Sequence, residues 1–265
     1  MQMRLGLAQC GFPGDGDVLA QVDRFSQDAA EQGVDLLVFP EDLMSPRPLD
    51  AAGLRELAEP LDGAFATHVA SVAAARGMWV VFTMYERDPN GGAPFNTAVV
   101  VDDAGTLRGT YSKCHLYDAH GVCESERTKR GQALGTPIAT PFWATLGVGI
   151  CYDLRFPEQA RTMALRGCSL LAYPSAWIDG PEKAAHWETL LRARAIENEV
   201  FVVGVCKAGE RYVGRSMVVD PLGRVLCRGP EHEEALLTCN IELDEIEAAR
   251  TAMPLIEHRR PELYR

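Results

Sequence analysis

Apolar runs too continuous for half-buried strands and too short for helices recur along this chain. Leu36-Leu37-Val38-Phe39, Val80-Val81-Phe82, Leu170-Leu171-Ala172-Tyr173 and Val200-Phe201-Val202-Val203 show no alternation of polar and apolar positions. A strand apolar on both faces is buried on both faces, so it belongs in a sheet covered by other layers on either side. Helix-length segments lie between these runs. Asp17 to Gln32 carries Val18, Val22, Phe25 and Ala29 on one face and ends at Gly33. Ala64 to Arg76 ends at Gly77, and glycine tolerates the left-handed turn that closes a helix.

Strands are predicted over Met3 to Gln9, Val34 to Phe39, Met78 to Tyr85, Phe95 to Asp102 and Thr106 to Tyr111. Turns at Pro89-Asn90-Gly91-Gly92 and Asp103-Ala104-Gly105 join the last three. The second half repeats the theme, with strands over Ile138 to Trp143, Thr145 to Ile150, Ser169 to Tyr173, Val200 to Val205, Tyr212 to Asp220, Arg224 to Cys227 and Ala235 to Ile241. Helices are predicted over Phe156 to Gly167 and Pro181 to Glu199. There is no sequence repeat and no low-complexity linker. Strand–helix alternation mixed with hairpins predicts an α/β fold of two mixed sheets packed face to face with helices outside, as a single domain over 1–265.

A hydrophobic content of 47% is enough for a large core. With 26 basic and 37 acidic residues the net charge is −11, which repels phosphate backbones and argues against a nucleic-acid partner. No segment reaches the roughly 18 apolar residues that span a bilayer, and the N-terminus lacks a signal-peptide pattern, so a cytoplasmic protein is expected. The eight cysteines are scattered along the chain, the pattern of free thiols in a reducing compartment rather than of a disulfide framework.

Three strand ends deliver reactive groups. In Gly149-Ile150-Cys151-Tyr152-Asp153 a short strand runs into a cysteine and then toward a helix, where backbone N–H groups lower a thiol pKa and receive a developing oxyanion. In Phe39-Pro40-Glu41 a proline stops strand pairing just before a carboxylate, and desolvation there raises a carboxyl toward general-base range. In Tyr111-Ser112-Lys113-Cys114 a lysine closes a hairpin strand. Each has an ordinary reading: a buried cysteine as small hydrophobe, a solvated loop acid, a solvent-facing lysine. Together they suit attack on an amide-like carbon. Glu41 takes the thiol proton and the Cys151 thiolate adds to the carbonyl. Lys113 and the Tyr152 N–H hold the oxyanion, and Glu41 then serves leaving group and water in turn. The scheme calls for no metal or cofactor, only a small-molecule amide substrate and water.

At these residues the chain resembles the nitrilase superfamily of carbon–nitrogen hydrolases. Its three catalytic blocks read here as Val38-Phe39-Pro40-Glu41, Tyr111-Ser112-Lys113-Cys114-His115-Leu116 and Gly149-Ile150-Cys151-Tyr152-Asp153-Leu154-Arg155-Phe156-Pro157-Glu158, in the family's order and spacing. The resemblance implies a four-layer αββα sandwich, a Glu41–Lys113–Cys151 triad and a homodimer or higher homo-oligomer. It also implies a second glutamate after the lysine block. Glu124 lies seven residues before Gly131 and fits that position better than Glu126, positioning Lys113 and the substrate amide. The blocks are most similar to the Nit branch, which includes ω-amidases and the amidase acting on deaminated glutathione. Such substrates carry a carboxylate, for which Arg155 is the candidate fork; a salt bridge from Arg155 to Asp153 or Glu158 is the other reading. Trp177, in Pro174-Ser175-Ala176-Trp177, either covers the substrate or packs the core, and Glu197-Asn198 is expected to serve fold and assembly. The segment Asp118-Ala119-His120-Gly121-Val122 is shorter than the usual Nit lid, which changes the pocket volume and leaves the exact substrate open, and three motifs alone do not separate this branch from those acting on N-carbamoyl compounds or nitriles.

Other readings fit the spacing less well. Cys114, His115, His120 and Cys123 cluster, but two adjacent ligands make poor tetrahedral geometry. A papain-like pairing of Cys151 with His186 places the histidine inside a helix whose Trp187, Leu190 and Leu191 suggest ordinary packing. A thiol sensor or scaffold accounts for one reactive cysteine but not for Glu41 and Lys113.

Overall fold

The computed structural model describes residues 1–14 and 16–263. Its elements begin with β1 (Gln2–Gln9), α1 (Val18–Glu31), β2 (Leu36–Val38), α2 (Ala51–Leu57), α3 (Ala64–Arg76), β3 (Trp79–Glu86), β4 (Phe95–Val101) and β5 (Leu107–Ser112). A small hairpin of β6 (Asp118–Ala119) and β7 (Val122–Cys123) leads to β8 (Ile138–Ala139), β9 (Thr145–Val148), α4 (Pro157–Leu165), β10 (Leu170–Ser175) and α5 (Lys183–Asn198). The chain continues through β11 (Phe201–Cys206), β12 (Met217–Val219), β13 (Val225–Arg228), β14 (Ala235–Glu242) and α6 (Asp244–Ala252).

These strands form two six-stranded sheets, ordered β14-β1-β2-β3-β4-β5 and β13-β12-β11-β10-β9-β8. Each has three parallel strands at its centre, β1-β2-β3 in one and β9-β10-β11 in the other, with antiparallel strands outside them. The two-residue period of the pleat divides β3 between two cores. Trp79 and Val81 point into the core shared with the second sheet, whereas Val80 and Phe82 pack with Val22 and Phe25 of α1 and Val69 and Ala73 of α3. Met163 of α4 and Trp187 and Leu191 of α5 cover the second sheet. The result is an αββα sandwich of four layers. Burying each Val, Leu or Phe on either face of the sheet contributes roughly 1.5–3 kcal/mol, the physical reason the apolar runs do not alternate. No helix among the described residues is long and apolar enough to cross a membrane.

Several elements are shorter than the sequence suggests, each for a local reason. The strand predicted over Ile138 to Trp143 ends at Ala139, because Pro141 donates no hydrogen bond and Trp143 turns left-handed at φ 66°. The strand predicted over Tyr212 to Asp220 is reduced to Met217–Val219, since Gly214 and Arg215 adopt φ 55° and 48°. The helix predicted from Phe156 starts with Pro157 at its first position, after one 3₁₀ turn over Cys151–Arg155. Helices α2 and α6 are additional. Helix α2 is held by the Asp50 side chain, which accepts the Gly53 N–H at 2.8 Å and offsets the weak helix propensity of Gly53 inside it.

Candidate active site

The parallel strands of both sheets end on one side of the sandwich, where α/β folds place their ligands. Beyond β2 the chain reaches Glu41, beyond β9 Cys151 and beyond β10 Ala176, while Lys113 follows β5. All four line one cleft of about 890 Å³, counting its open mouth.

Lys113 lies at the centre of this group. Its Nζ donates to Glu41 Oε1 at 2.8 Å and to Glu124 Oε2 and Oε1 at 2.8 and 3.0 Å. Glu41 Oε1 also accepts from Asn96 Nδ2 at 2.8 Å, and its Oε2 accepts the Ala176 N–H at 2.8 Å. Glu124 Oε2 accepts the Tyr117 N–H at 2.7 Å. Glu41, Lys113 and Glu124 are all buried, so each charge carries a desolvation cost of several kcal/mol that hydrogen bonds and mutual attraction must offset. Two carboxylates against one ammonium leave one negative charge in excess, and the group therefore favours holding a proton. Burial disfavours the Lys113 charge, but Glu124 and Glu41 outweigh it and push its pKa well above the usual lysine value. Burial raises the Glu41 carboxyl, with Lys113 opposing.

Cys151 stands where β9 gives way to the 3₁₀ turn, with φ 47°. A left-handed conformation costs a non-glycine residue on the order of 1–3 kcal/mol and clusters at functional sites. It turns the side chain off the strand and into the cleft. Space is tight just before it, since a Cβ on Gly149 would lie 2.6 Å from the Tyr173 ring. The position beside a helix start suggested an acidified thiol. Instead, burial and then Glu41 push the thiol well above its usual value, with Lys113 pulling the other way. The full α4 helix begins only at Pro157, too far along the chain to act on the sulfur. The resting group is a neutral thiol facing a carboxyl.

The other candidates separate by environment. Glu124 is buried on Lys113, whereas Glu126 is exposed to solvent. The marker Gly131 donates its N–H to the Lys113 carbonyl at 2.8 Å, and a Cβ there would lie 2.0 Å from the Ser112 oxygen. Arg155 forms no ion pair with Asp153 or Glu158; its guanidinium lies over the Trp177 ring at 4.6 Å and 3.5 Å from His186 Nδ1. Trp177 lines the cleft and also packs against Trp187 at 5.4 Å. Tyr152 lines the same wall, edge-on to Tyr117 at 5.0 Å. Glu197 pairs with Arg194 at 2.9 Å, and Arg194 donates to the Leu154 carbonyl at 2.8 and 3.0 Å, so the end of α5 grips the turn after Cys151.

The alternative clusters do not assemble. Cys114 Sγ donates to the Ala133 carbonyl at 3.3 Å, His115 faces Asp153, and Cys123 is exposed. No group of three or more His, Cys, Asp or Glu among the described residues is arranged to hold a metal. Asn96, in mid-strand β4, is a contact to Glu41 that no sequence signal indicated.

The carbon–nitrogen hydrolase profile matches residues 5–251. The chain belongs to the carbon–nitrogen hydrolase family. It is 36% identical over 256 residues to the deaminated glutathione amidase of Homo sapiens, covering 90% of this chain and 76% of that one. It is 34% identical over 260 residues to an omega-amidase of Danio rerio, covering 94% and 91%. Among solved structures the C. elegans NitFhit protein superposes with a TM-score of 0.91 at 32% identity, covering all of this chain and 66% of that longer one. The family is the nitrilase superfamily, and the similarity to these relatives places the chain in its Nit branch.

Proposed function

We propose that this carbon–nitrogen hydrolase is an amidase that cleaves a small linear amide bearing a carboxylate, through a thioester on Cys151. One observation carries the substrate class. The cleft is lined by Arg47, Arg127, Arg155, Lys183 and Arg211, and none of these pairs with a carboxylate among the described residues. In a chain of net charge −11, five cations without counter-ions around one cleft make a site for an anion. Arg155, stacked on Trp177 beside Tyr152, is the fork we assign to the carboxylate near the reacting carbon. Relatives named deaminated glutathione amidase and omega-amidase support this reading.

The chemistry follows from the buried group. Glu41 accepts the Cys151 proton as sulfur adds to the amide carbonyl, because a neutral thiol is a poor nucleophile and a raised carboxyl is a better base. The negative charge moves to the substrate oxygen. There Lys113, kept charged by two carboxylates, and the Tyr152 N–H stabilise it without reorganising. Protonated Glu41 then gives its proton to the departing ammonia. Once the ammonia has left, Glu41 takes a proton from water as its oxygen adds to the thioester carbonyl, and returns that proton to the Cys151 sulfur as the C–S bond breaks and the acid is released. Glu124 orients Lys113 throughout. We take the protein to be cytoplasmic and a homodimer or higher homo-oligomer, which light scattering tests.

The experiment is ammonia release across keto-acid amides, aliphatic amides, carbamoyl amino acids and nitriles, with intact-mass analysis after mixing with a slow amide. Faster turnover of carboxylate-bearing amides, and an acyl adduct lost in Cys151→Ala, support the reading. Turnover confined to nitriles or carbamoyl compounds replaces the substrate class. No turnover and no adduct would favour a thiol scaffold.

A further inference from the structure

Two residues past the nucleophile lies a carboxylate that the mechanism does not use. Asp153 is fully buried, and no lysine or arginine pairs with it among the described residues; His115 is its only possible cation. Such a group persists only when hydrogen bonds satisfy it. Asp153 Oδ2 accepts the Ile150 N–H and the Tyr111 hydroxyl, both at 2.8 Å, and Oδ1 accepts from His115 N at 3.2 Å and faces His115 Nδ1 at 2.6 Å. The Asp153 N–H returns to the Ile150 carbonyl at 3.0 Å, closing a ring around Cys151 and Tyr152.

These four contacts come from two segments. Ile150 precedes the left-handed Cys151. Tyr111 and His115 flank Lys113 on either side. The Tyr111 hydroxyl in turn accepts from the Cys114 N–H at 3.1 Å and from Gln159 Nε2 at 2.9 Å, so the strap around Lys113 is tied to the nucleophile's own turn and to α4. His115 also stacks on Phe156 at 3.7 Å, and Phe156 meets Tyr152 edge-on at 5.3 Å, which carries the same hold to the cleft wall. All the groups facing Asp153 donate or can donate, so only an acceptor on both oxygens satisfies them; an asparagine would turn an amide N–H₂ against at least one donor.

We propose that Asp153 is a positioning residue that sets the distance between the Lys113 ammonium and the Cys151 sulfur by binding both of their segments at once. The proposal rests on Cys151 as nucleophile and Lys113 as the cation at the oxyanion. Misplacing such a pair by about 1 Å costs on the order of 100-fold in rate, whereas of the cations around the cleft only Arg155 shares the turn of Asp153, and its guanidinium is held over the Trp177 ring at 4.6 Å. Asp153→Asn therefore lowers kcat by about 100-fold with KM little changed, measured per site titrated by acylation, and slows alkylation of Cys151 by iodoacetamide. Val99→Ala, in the core between the first sheet and its helices, serves as a variant that lowers the melting temperature while kcat per titrated site is kept.

A kcat per titrated site equal to wild type in Asp153→Asn, with only the melting temperature lowered, overturns the proposal. Should Asp153→Asn not fold, Tyr111→Phe and His115→Ala each loosen one tie. Both then lower kcat, and the double variant loses less than the product of the two, because they act through one carboxylate. Strictly multiplicative losses, or none, count against it. Failure of the functional reading is distinguishable: wild type then turns over no amide. Failure of this inference alone leaves wild type and Asp153→Asn equally active.

Discussion

The two sheets repeat one plan, and each delivers a cysteine at the same end. Taken from the β14 and β8 edges, their neighbours pair antiparallel, parallel, parallel, antiparallel, antiparallel in both. Strand β1 therefore corresponds to β9, and Cys10 follows the one as Cys151 follows the other. Cys10 is wholly buried among Val22, Phe25 and Phe39. Its carbonyl accepts the Ala208 N–H at 3.0 Å. Burial pushes its thiol up to about 11. Cys151 is raised too, by burial and by Glu41. Resting acidity does not separate the two thiols. What separates them is a left-handed turn that places Cys151 in a cleft beside the Glu41 carboxyl and the Lys113 ammonium.

That contrast can be broken by substitution. Cys151→Ala lowers amide turnover by on the order of 10⁴-fold or more, while Cys10→Ala keeps wild-type turnover and loses about 1 kcal/mol of stability. Comparable loss of activity from the Cys10 variant would end the distinction. Glu41→Gln, which removes the base from the Cys151 side alone, lowers kcat by about 10²- to 10⁴-fold with the fold intact by circular dichroism; substantial residual activity takes the base role from Glu41.

Two smaller effects sharpen it. Arg155→Ala reduces kcat/KM for carboxylate-bearing amides by about 10- to 100-fold, the loss of a charge-assisted hydrogen bond of roughly 1.5–3 kcal/mol. Neutral aliphatic amides are little affected, and an equal fall for both makes Arg155 structural. The pH profile of kcat/KM carries the last test. Because burial raises Glu41 above its ordinary 4.5, the base form is lost as pH falls through a value higher than that. The acid limb then lies above 4.5 and disappears in Glu41→Gln; an acid limb at or below 4.5 contradicts the assignment.

Much of this was legible along the chain because burial leaves a local record. Helix α3 runs over Ala64–Arg76 with its cap at Gly77 as read, since a left-handed glycine is a strong stop. The β3 and β11 runs were readable because both faces of each strand are covered. Strand lengths near Trp143 and Arg215 were not, because a non-glycine residue with positive φ carries no compositional mark. Asn96 escaped for another reason: its contact to Glu41 spans 55 positions, and polar residues in strands are common.

By itself, then, the sequence determined the layering, because unbroken apolar runs can be buried only between layers. It also marked as candidates Glu41 and Cys151, where an apolar run gives way to a reactive group, and Lys113, which closes a hairpin strand. Only the tertiary structure decided what those residues face. Lys113 and Glu41 meet across 72 positions, Glu124 turns inward while Glu126 meets solvent, and Arg155 lies on Trp177 rather than on a neighbouring acid. Partners of this kind are set by how sheets stack and turns close, over distances in the chain that no local pattern spans. Cys10 and Cys151 look alike as residues at strand ends, and they differ because packing gave one an apolar pocket and the other a cleft with a carboxyl beside it.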